Sequence, residues 1–315
     1  MRIIKDTNID FMKRTSFTKI LSLSIIILGI ISLLINKGPK LSIDFKGGTL
    51  VAVNYTSEID INNIRSSMEN VEIGGKNFDF SKAEIKHFGD KSNVAIRIAS
   101  LENEPEDFTK SLIIKMSKLY PNLVPQDNDD FILAIEKVGP KIGAELRGDA
   151  IMAIISALLL ILIYITIRFE LKYAVGAIAA LTHDVLITLG IFSLFGYEIS
   201  LAVIAAFLTI VGYSLNDTIV IFDRIRENAK MLKKSSLKSV INQSINDSLS
   251  RTIITSLTTF FVVLILFIFG GEVIHTFSFA MIVGVIVGTY SSIFVATPIL
   301  NYTNVNQKTV LKEEN

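Results

Sequence analysis

Six stretches of this chain are apolar enough and long enough to cross a hydrocarbon layer about 30 Å thick, which takes roughly 20 helical residues. They fall at 17–35, 149–167, 173–195, 200–222, 252–269 and 274–300. In lipid a backbone must satisfy its own hydrogen bonds, so each stretch reads as a transmembrane α-helix. Half of the residues are hydrophobic, as six spans require. The first stretch follows a charged leader (1–16) and ends in LLINKGPK without a small-x-small cleavage site, so a retained anchor is expected rather than a secretory signal.

The distribution of Lys and Arg gives the orientation, because cytoplasmic flanks keep positive charge. Arg2, Lys5, Lys13, Arg14 and Lys19 precede or open the first span, and Arg168 and Lys172 lie between the second and third. Arg224, Arg226, Lys230, Lys233, Lys234, Lys238 and Arg251 fall in the connection 223–251, and Lys308 and Lys312 in the tail 301–315. The short connections containing GYEI and GGEVIH carry no Lys or Arg. Both termini are therefore expected in the cytoplasm, and residues 36–148 outside it.

That insert alternates between strand and helix signals. Thr49 to Thr56 reads as a strand, and Ser57 with Asp60 offers a capping box for a helix ending near Glu69. Strands are expected at 82–88 and 94–99. Pro105 suits the first turn of a helix carrying Phe108, Leu112, Met116 and Leu119, and Phe131 to Val138 reads as a last strand. The order strand, helix, strand, strand, helix, strand is that of a ferredoxin-like α+β domain. The fold class is thus a polytopic α-helical membrane protein with an extracytoplasmic domain between helices 1 and 2.

Composition narrows the chemistry. There is no cysteine, and no phosphate-binding GxxxxGK[ST], HExxH or GxSxG motif. No cofactor, metal or enzymatic step is expected, and a formal net charge of +1 offers no field to recruit nucleic acid.

Polar residues within the spans carry the functional signal, since a carboxylate at mid-membrane costs about 2.5 to 3.5 kcal/mol on insertion scales. Ser214, Asp217 and Thr218 stand at i, i+3 and i+4 and share a helix face. Asp217 lies about 10 Å inside Arg224, seven residues at roughly 1.5 Å each. Arg251, Thr255 and Thr258 form another stripe, with Thr252 and Thr259 beside it. His183 and Asp184 lie deep in the third span, with Thr188 one turn on. An ion switch follows as the functional reading: protonating Asp217 would release it from Arg251 and change how two spans pack. The plainer readings are a snorkelling Arg251, a permanently paired structural Asp217, an Asp184 bonded to a neighbouring hydroxyl or backbone group, and a His183 that only packs. Gly284 and Gly288 form a GxxxG, which signals close helix packing.

Six segments resemble the SecD/SecF family of protein-export membrane proteins, within the RND transporter superfamily, and in particular its SecF members. They are SIDFKGGTLV (42–51), VGPKIGAEL (138–146), LTHDVLITLGIF (181–192), AAFLTIVGYSLNDTIVIFDRIREN (205–228), SRTIITSLTT (250–259) and FAMIVGVIVGTYSSIFVATPI (279–299). The resemblance implies one six-helix, RND-type half whose other half, SecD, is a separate polypeptide. It implies further partners in the SecYEG translocon, YajC, YidC and unfolded preprotein, and a location in the bacterial inner membrane. The implied function is coupling of a proton or sodium motive force to preprotein translocation. The implied ion pathway takes in Asp217 and Arg251, with Asp184 added on weaker grounds and Ser214, Thr218 and Thr255 as neighbouring hydroxyls. Gly47, Gly48, Gly139 and Gly143, where the insert joins its flanking spans, suit turns or hinges. Two rival functions are a half-transporter for a small molecule or lipid and a non-transporting assembly factor of the translocon.

Overall fold

The computed structural model describes residues 7–302 except 74, 82, 102, 103, 106 and 127. The expected leader and tail charges Arg2, Lys5, Lys308 and Lys312, and the strand start at Lys82, lie outside the described residues. The chain divides into two compact units, Met1–Lys40 with Met152–Asn315, and Leu41–Ile151.

Helix α1 (Thr15–Ile35) opens the first unit. The second unit contains α2 (Ile43–Lys46), β1 (Gly48–Asn54), α3 (Ile61–Ser67), β2 (Val71–Ile73), β3 (Lys76–Phe78), β4 (Glu84–Phe88), β5 (Asp90–Ala99), α4 (Phe108–Leu119), α5 (Asn128–Phe131) and β6 (Ile132–Val138). Strand order in the main sheet is β4-β5-β1-β6, antiparallel throughout, which is the ferredoxin-like arrangement. Val51 pairs with both Ile96 and Ile135 and sets the central register. One sheet face, with Val51, Val53, Val94, Ile96 and Ile98, packs on Ile64 of α3, on Met68 just after it, and on Phe108, Leu112 and Met116 of α4. Tyr55 is buried among them, and its hydroxyl donates to the Met116 carbonyl at 2.9 Å.

Three local features differ from the sequence reading. Helix α3 is capped by Asp60, which accepts from the Asn62 N–H at 2.9 Å, so the Ser57 capping box does not form. Pro105 precedes α4, its carbonyl accepting from the Phe108 N–H at 3.0 Å, and does not sit in the first turn. The β2–β3 hairpin is additional, its three-residue strands being too short to show periodicity.

Helix α6 (Pro140–Arg168) comes next in the chain. It is followed by α7 (Leu171–Phe195), α8 (Leu201–Met231), α9 (Leu237–Phe269) and α10 (Gly271–Ser291). A π-helical segment, Ser292–Ala296, leads to α11 (Thr297–Tyr302). Among the described residues, six helices are long and apolar enough to span a membrane. The connection expected at 223–251 is mostly helical, because α8 runs on to Met231 and α9 begins at Leu237. Hydropathy ends where charge begins, whereas a helix does not: Arg, Glu and Lys are good helix formers. The two extensions are tied by the Asn228 amide, which donates to Ser244 Oγ at 3.0 Å and to Asp247 Oδ2 at 2.9 Å. The segment before α1 docks here too, the Met12 N–H donating to Asn242 Oδ1 at 2.9 Å.

Candidate functional site

Small residues let the helices of the first unit approach closely enough for short polar side chains to meet. A Cβ added at Gly29 of α1 would stand 2.7 Å from the Gly190 Cα of α7. One added at Gly288 of α10 would stand 2.9 Å from the Ser214 Cβ of α8. Gly284 likewise faces Ile210, so the GxxxG pair packs α10 on α8.

Asp184 lies at the centre of the seam these contacts form and is only 1 % exposed. Its Oδ2 accepts from Ser214 Oγ at 2.6 Å and from Ser291 Oγ at 2.8 Å, and its Oδ1 lies 2.9 Å from His183 Nδ1. The Thr188 hydroxyl donates to the Asp184 carbonyl at 2.7 Å. Beyond His183, Nε2 lies 3.0 Å from Ser22 Oγ of α1. Ser22 Oγ in turn lies 2.9 Å from the Tyr290 hydroxyl, which donates to the Thr18 carbonyl at 2.7 Å. A buried carboxyl group requires such partners, because an uncompensated one in an apolar bundle costs far more than its hydrogen bonds return.

Asp217, one helical turn from Ser214, occupies a second polar pocket and is 3 % exposed. Ser256 Oγ donates to its Oδ2 at 3.5 Å and lies 2.7 Å from Thr289 Oγ1. Thr218 pairs with Ser292 Oγ at 2.8 Å, and Ser292 also donates to the Ser214 carbonyl at 3.2 Å. Ser292 opens the π-helical turn, a local widening that is common at functional positions.

Arg251 is placed differently from the sequence expectation. It is exposed, and no salt bridge joins it to Asp217 among the described residues. The reason is helical phase. The buried stripe of α9 is Thr252, Ser256 and Val263, and the stripe Arg251, Thr255, Thr258 lies beside it on a more exposed face. The Thr255 hydroxyl donates to its own helix, to the Arg251 carbonyl at 3.1 Å and the Thr252 carbonyl at 3.0 Å. Sequence reasoning missed Ser22, Ser256, Thr289, Tyr290, Ser291 and Ser292. The run GTYSS at 288–292, polar residues after a GxxxG in an apolar stretch, was the available signal for four of these.

In the second unit the glycine segments meet each other. Gly47 and Gly48 have φ of +75° and +143°, and a Cβ at Gly143 would stand 3.0 Å from the Gly47 nitrogen. Gly139 has open space around it and an ordinary φ.

The pattern "Protein export membrane protein SecD/SecF, C-terminal" matches residues 122–306, more than half of the chain, and "SecD/SecF GG Motif" matches residues 32–58. The chain belongs to the SecD/SecF family. Relatives of this family named protein translocase subunit SecF include one from Calditerrivibrio nitroreducens, 45% identical, with 94% of this chain and 95% of the relative covered. Another, from Rhodothermus marinus, is 44% identical, with 95% of this chain and 94% of the relative covered. The crystal structure of SecDF, a translocon-associated membrane protein from Thermus thermophilus, superposes with a TM-score of 0.80 at 36% identity over 96% of this chain. This SecD/SecF-family chain spans 39% of the length of that SecDF chain. The six-helix membrane fold with a sheet-containing insert between the first two helices is therefore that of a SecD/SecF-family protein.

Proposed function

We propose that this chain is the SecF-type accessory subunit of a bacterial Sec translocase and, with a separate SecD subunit, couples a proton or sodium motive force to preprotein translocation. The observation that carries the reading is the pair of carboxyl groups, Asp184 and Asp217, buried in a seam of hydroxyls between otherwise apolar helices. Groups of this kind at membrane depth mark ion routes, because their cost must be repaid by function. The SecF names of full-length relatives and the SecDF fold supply the transport context.

Asp217 is the proposed ion-binding carboxylate, with Ser256, Thr289 and Thr218 around it. Arg251 and Thr258 are exposed on the outer side of α9, with the half-buried Thr255 between them. An arginine is costly against lipid, so this face suits a second six-helix half supplied by SecD. The Lys and Arg distribution supports cytoplasmic termini in the inner membrane and an extracytoplasmic second unit, where SecYEG, YajC, YidC and unfolded preprotein would be met. Gly47, Gly48, Gly139 and Gly143 are the proposed flexing points of that unit.

Asp217→Asn tests the reading, since it keeps shape and removes charge. Secretory precursors are followed in cells and in vesicles across a series of imposed membrane potentials. The expected result is loss of potential-dependent export with normal amounts of the protein and of its complex with SecD. Normal export in this variant overturns the proposal.

A further inference from the structure

Ser22 and Tyr290 play no part in the reading above, yet they fix how many hydrogens sit on the imidazole they adjoin. The Tyr290 hydroxyl has one hydrogen and donates it to the Thr18 carbonyl at 2.7 Å. In the 2.9 Å contact between Ser22 and Tyr290 the donor is then Ser22. With its only hydrogen so used, Ser22 Oγ can only accept across its 3.0 Å contact with His183, so Nε2 carries a hydrogen. On the other side of the ring, Nδ1 faces Asp184 Oδ1 at 2.9 Å. A carboxylate has only lone pairs, and so does a bare Nδ1. A buried contact of that length needs one hydrogen between them.

We propose that His183 and Asp184 form a second proton-binding site, distinct from Asp217, and that the arrangement seen here is its loaded state. The loaded pair holds Nε2–H and one hydrogen shared between Nδ1 and Oδ1, so its net charge is zero whether that hydrogen resides on nitrogen or on oxygen. Two serine hydroxyls donate to Oδ2, at 2.6 and 2.8 Å, so the hydrogen shared with the ring is confined to Oδ1. The Tyr290 ring stacks on the imidazole with centroids 5.9 Å apart, a position that suits a cation.

Release of the shared proton leaves two facing lone pairs. The contact is kept only if the remaining ring hydrogen moves to Nδ1, which makes Nε2 an acceptor. Ser22 must then donate to Nε2 and accept from Tyr290, and Tyr290 must let go of the Thr18 carbonyl. Occupancy at α7 is thus transmitted to α1 by reversal of one hydrogen-bonded chain. Within one helical turn of the residues that touch this pair, the titratable or charged groups are Tyr290 on α10, Tyr213 and Asp217 on α8, and Lys19 on α1, which is exposed. A role for this site in coupling rests on the ion-driven reading above; its proton occupancy does not.

The test uses the full chain in lipid bilayers with ¹⁵N-labelled histidine, read by solid-state NMR at neutral pH. The chain has three histidines, and His183→Gln assigns the signals by their loss. Should that variant fail to accumulate, His87→Gln and His275→Gln, both away from the chain of bonds, assign them by subtraction. The expected result is a protonated Nε2, together with either a protonated Nδ1 or an infrared band of a protonated carboxyl that disappears in Asp184→Asn. A bare Nε2 overturns the proposal, and so does a neutral imidazole beside an ionised Asp184. Neither readout depends on protein export, so this site and the role of Asp217 can fail separately.

Discussion

Ser214 and Asp184, thirty residues apart and on different helices, share the shortest hydrogen bond of the seam, 2.6 Å between Oγ and Oδ2. The contact exists because Gly288 lets α10 press on α8 at Ser214, which brings Ser291 to the same carboxyl oxygen. Ser214→Ala and Ser291→Ala should each lower stability by about 1 to 2 kcal/mol, between the values for charged partners and for membrane-buried hydrogen bonds. The double variant should lose more than the sum, since the carboxyl oxygen then has no donor at Oδ2. Equilibrium unfolding in mixed micelles measures this. Additive losses of a few tenths would show the hydroxyls to be incidental.

The contact of Gly29 with Gly190 makes a separate prediction for α1. A side chain at either position meets backbone, which cannot rotate away, so Gly29→Ala should cost about 1 to 3 kcal/mol and Gly29→Leu should detach α1. Ser32 and Ser193, whose hydroxyls are 2.8 Å apart, report on the docking. The chain has no cysteine of its own, so Ser32→Cys with Ser193→Cys should cross-link on mild oxidation in the parent and not in the Gly29→Leu background.

What the sequence made legible follows from how each signal arises. Spans and the βαββαβ order rest on hydrophobic period, which is local and repeated, and both are present in the structure. The α9 face was harder. Arg251 and Thr252 differ by one residue, or about 100° of helix rotation, and both head plausible polar stripes; only the neighbours of α9 decide that Thr252 and Ser256 turn inward. Tyr290 and Ser22 were illegible for a related reason. Their importance lies in meeting His183 from two other helices, 107 and 161 residues away. Ser57 and Asp60 competed for the α3 cap within one turn, and the closer carboxylate won.

Gly48 should be intolerant of any side chain. Its φ of +143° is one that L residues rarely adopt, and a Cβ there would run into the Ile98 carbonyl on β5. Gly48→Ala should destabilise the second unit by about 1 to 3 kcal/mol and speed amide exchange along β1 and β5. Gly89 is the control: its φ is +78°, but a Cβ there meets nothing, and Asn tolerates that region. Gly89→Asn should leave exchange in β1 unchanged, and equal effects of the two substitutions would refute the steric argument.

Glu136 gives the second unit a defined response to pH. The side chain is exposed at its tip, yet partial desolvation against the sheet, then the nearby Asp44 carboxylate, push its pKa above the ordinary glutamate value, with Arg97 opposing. A carboxyl whose folded-state pKa is raised binds its proton more tightly in the folded unit than in the unfolded chain. Its favourable contribution is therefore present below the unfolded value of about 4.3 and is lost as pH rises through the folded value. At neutral pH the ionised side chain is a net cost. Glu136→Gln keeps the size and removes the charge, so it should raise the unfolding midpoint of this unit at pH 7, with the gain shrinking as pH falls toward 4. The effect should be small because the group is partly solvated. Thermal unfolding followed by exchange of the β1 and β6 amides, at pH 4 and 7, separates this from a general surface effect. A gain at pH 4 equal to that at pH 7 would assign it to packing and not to charge.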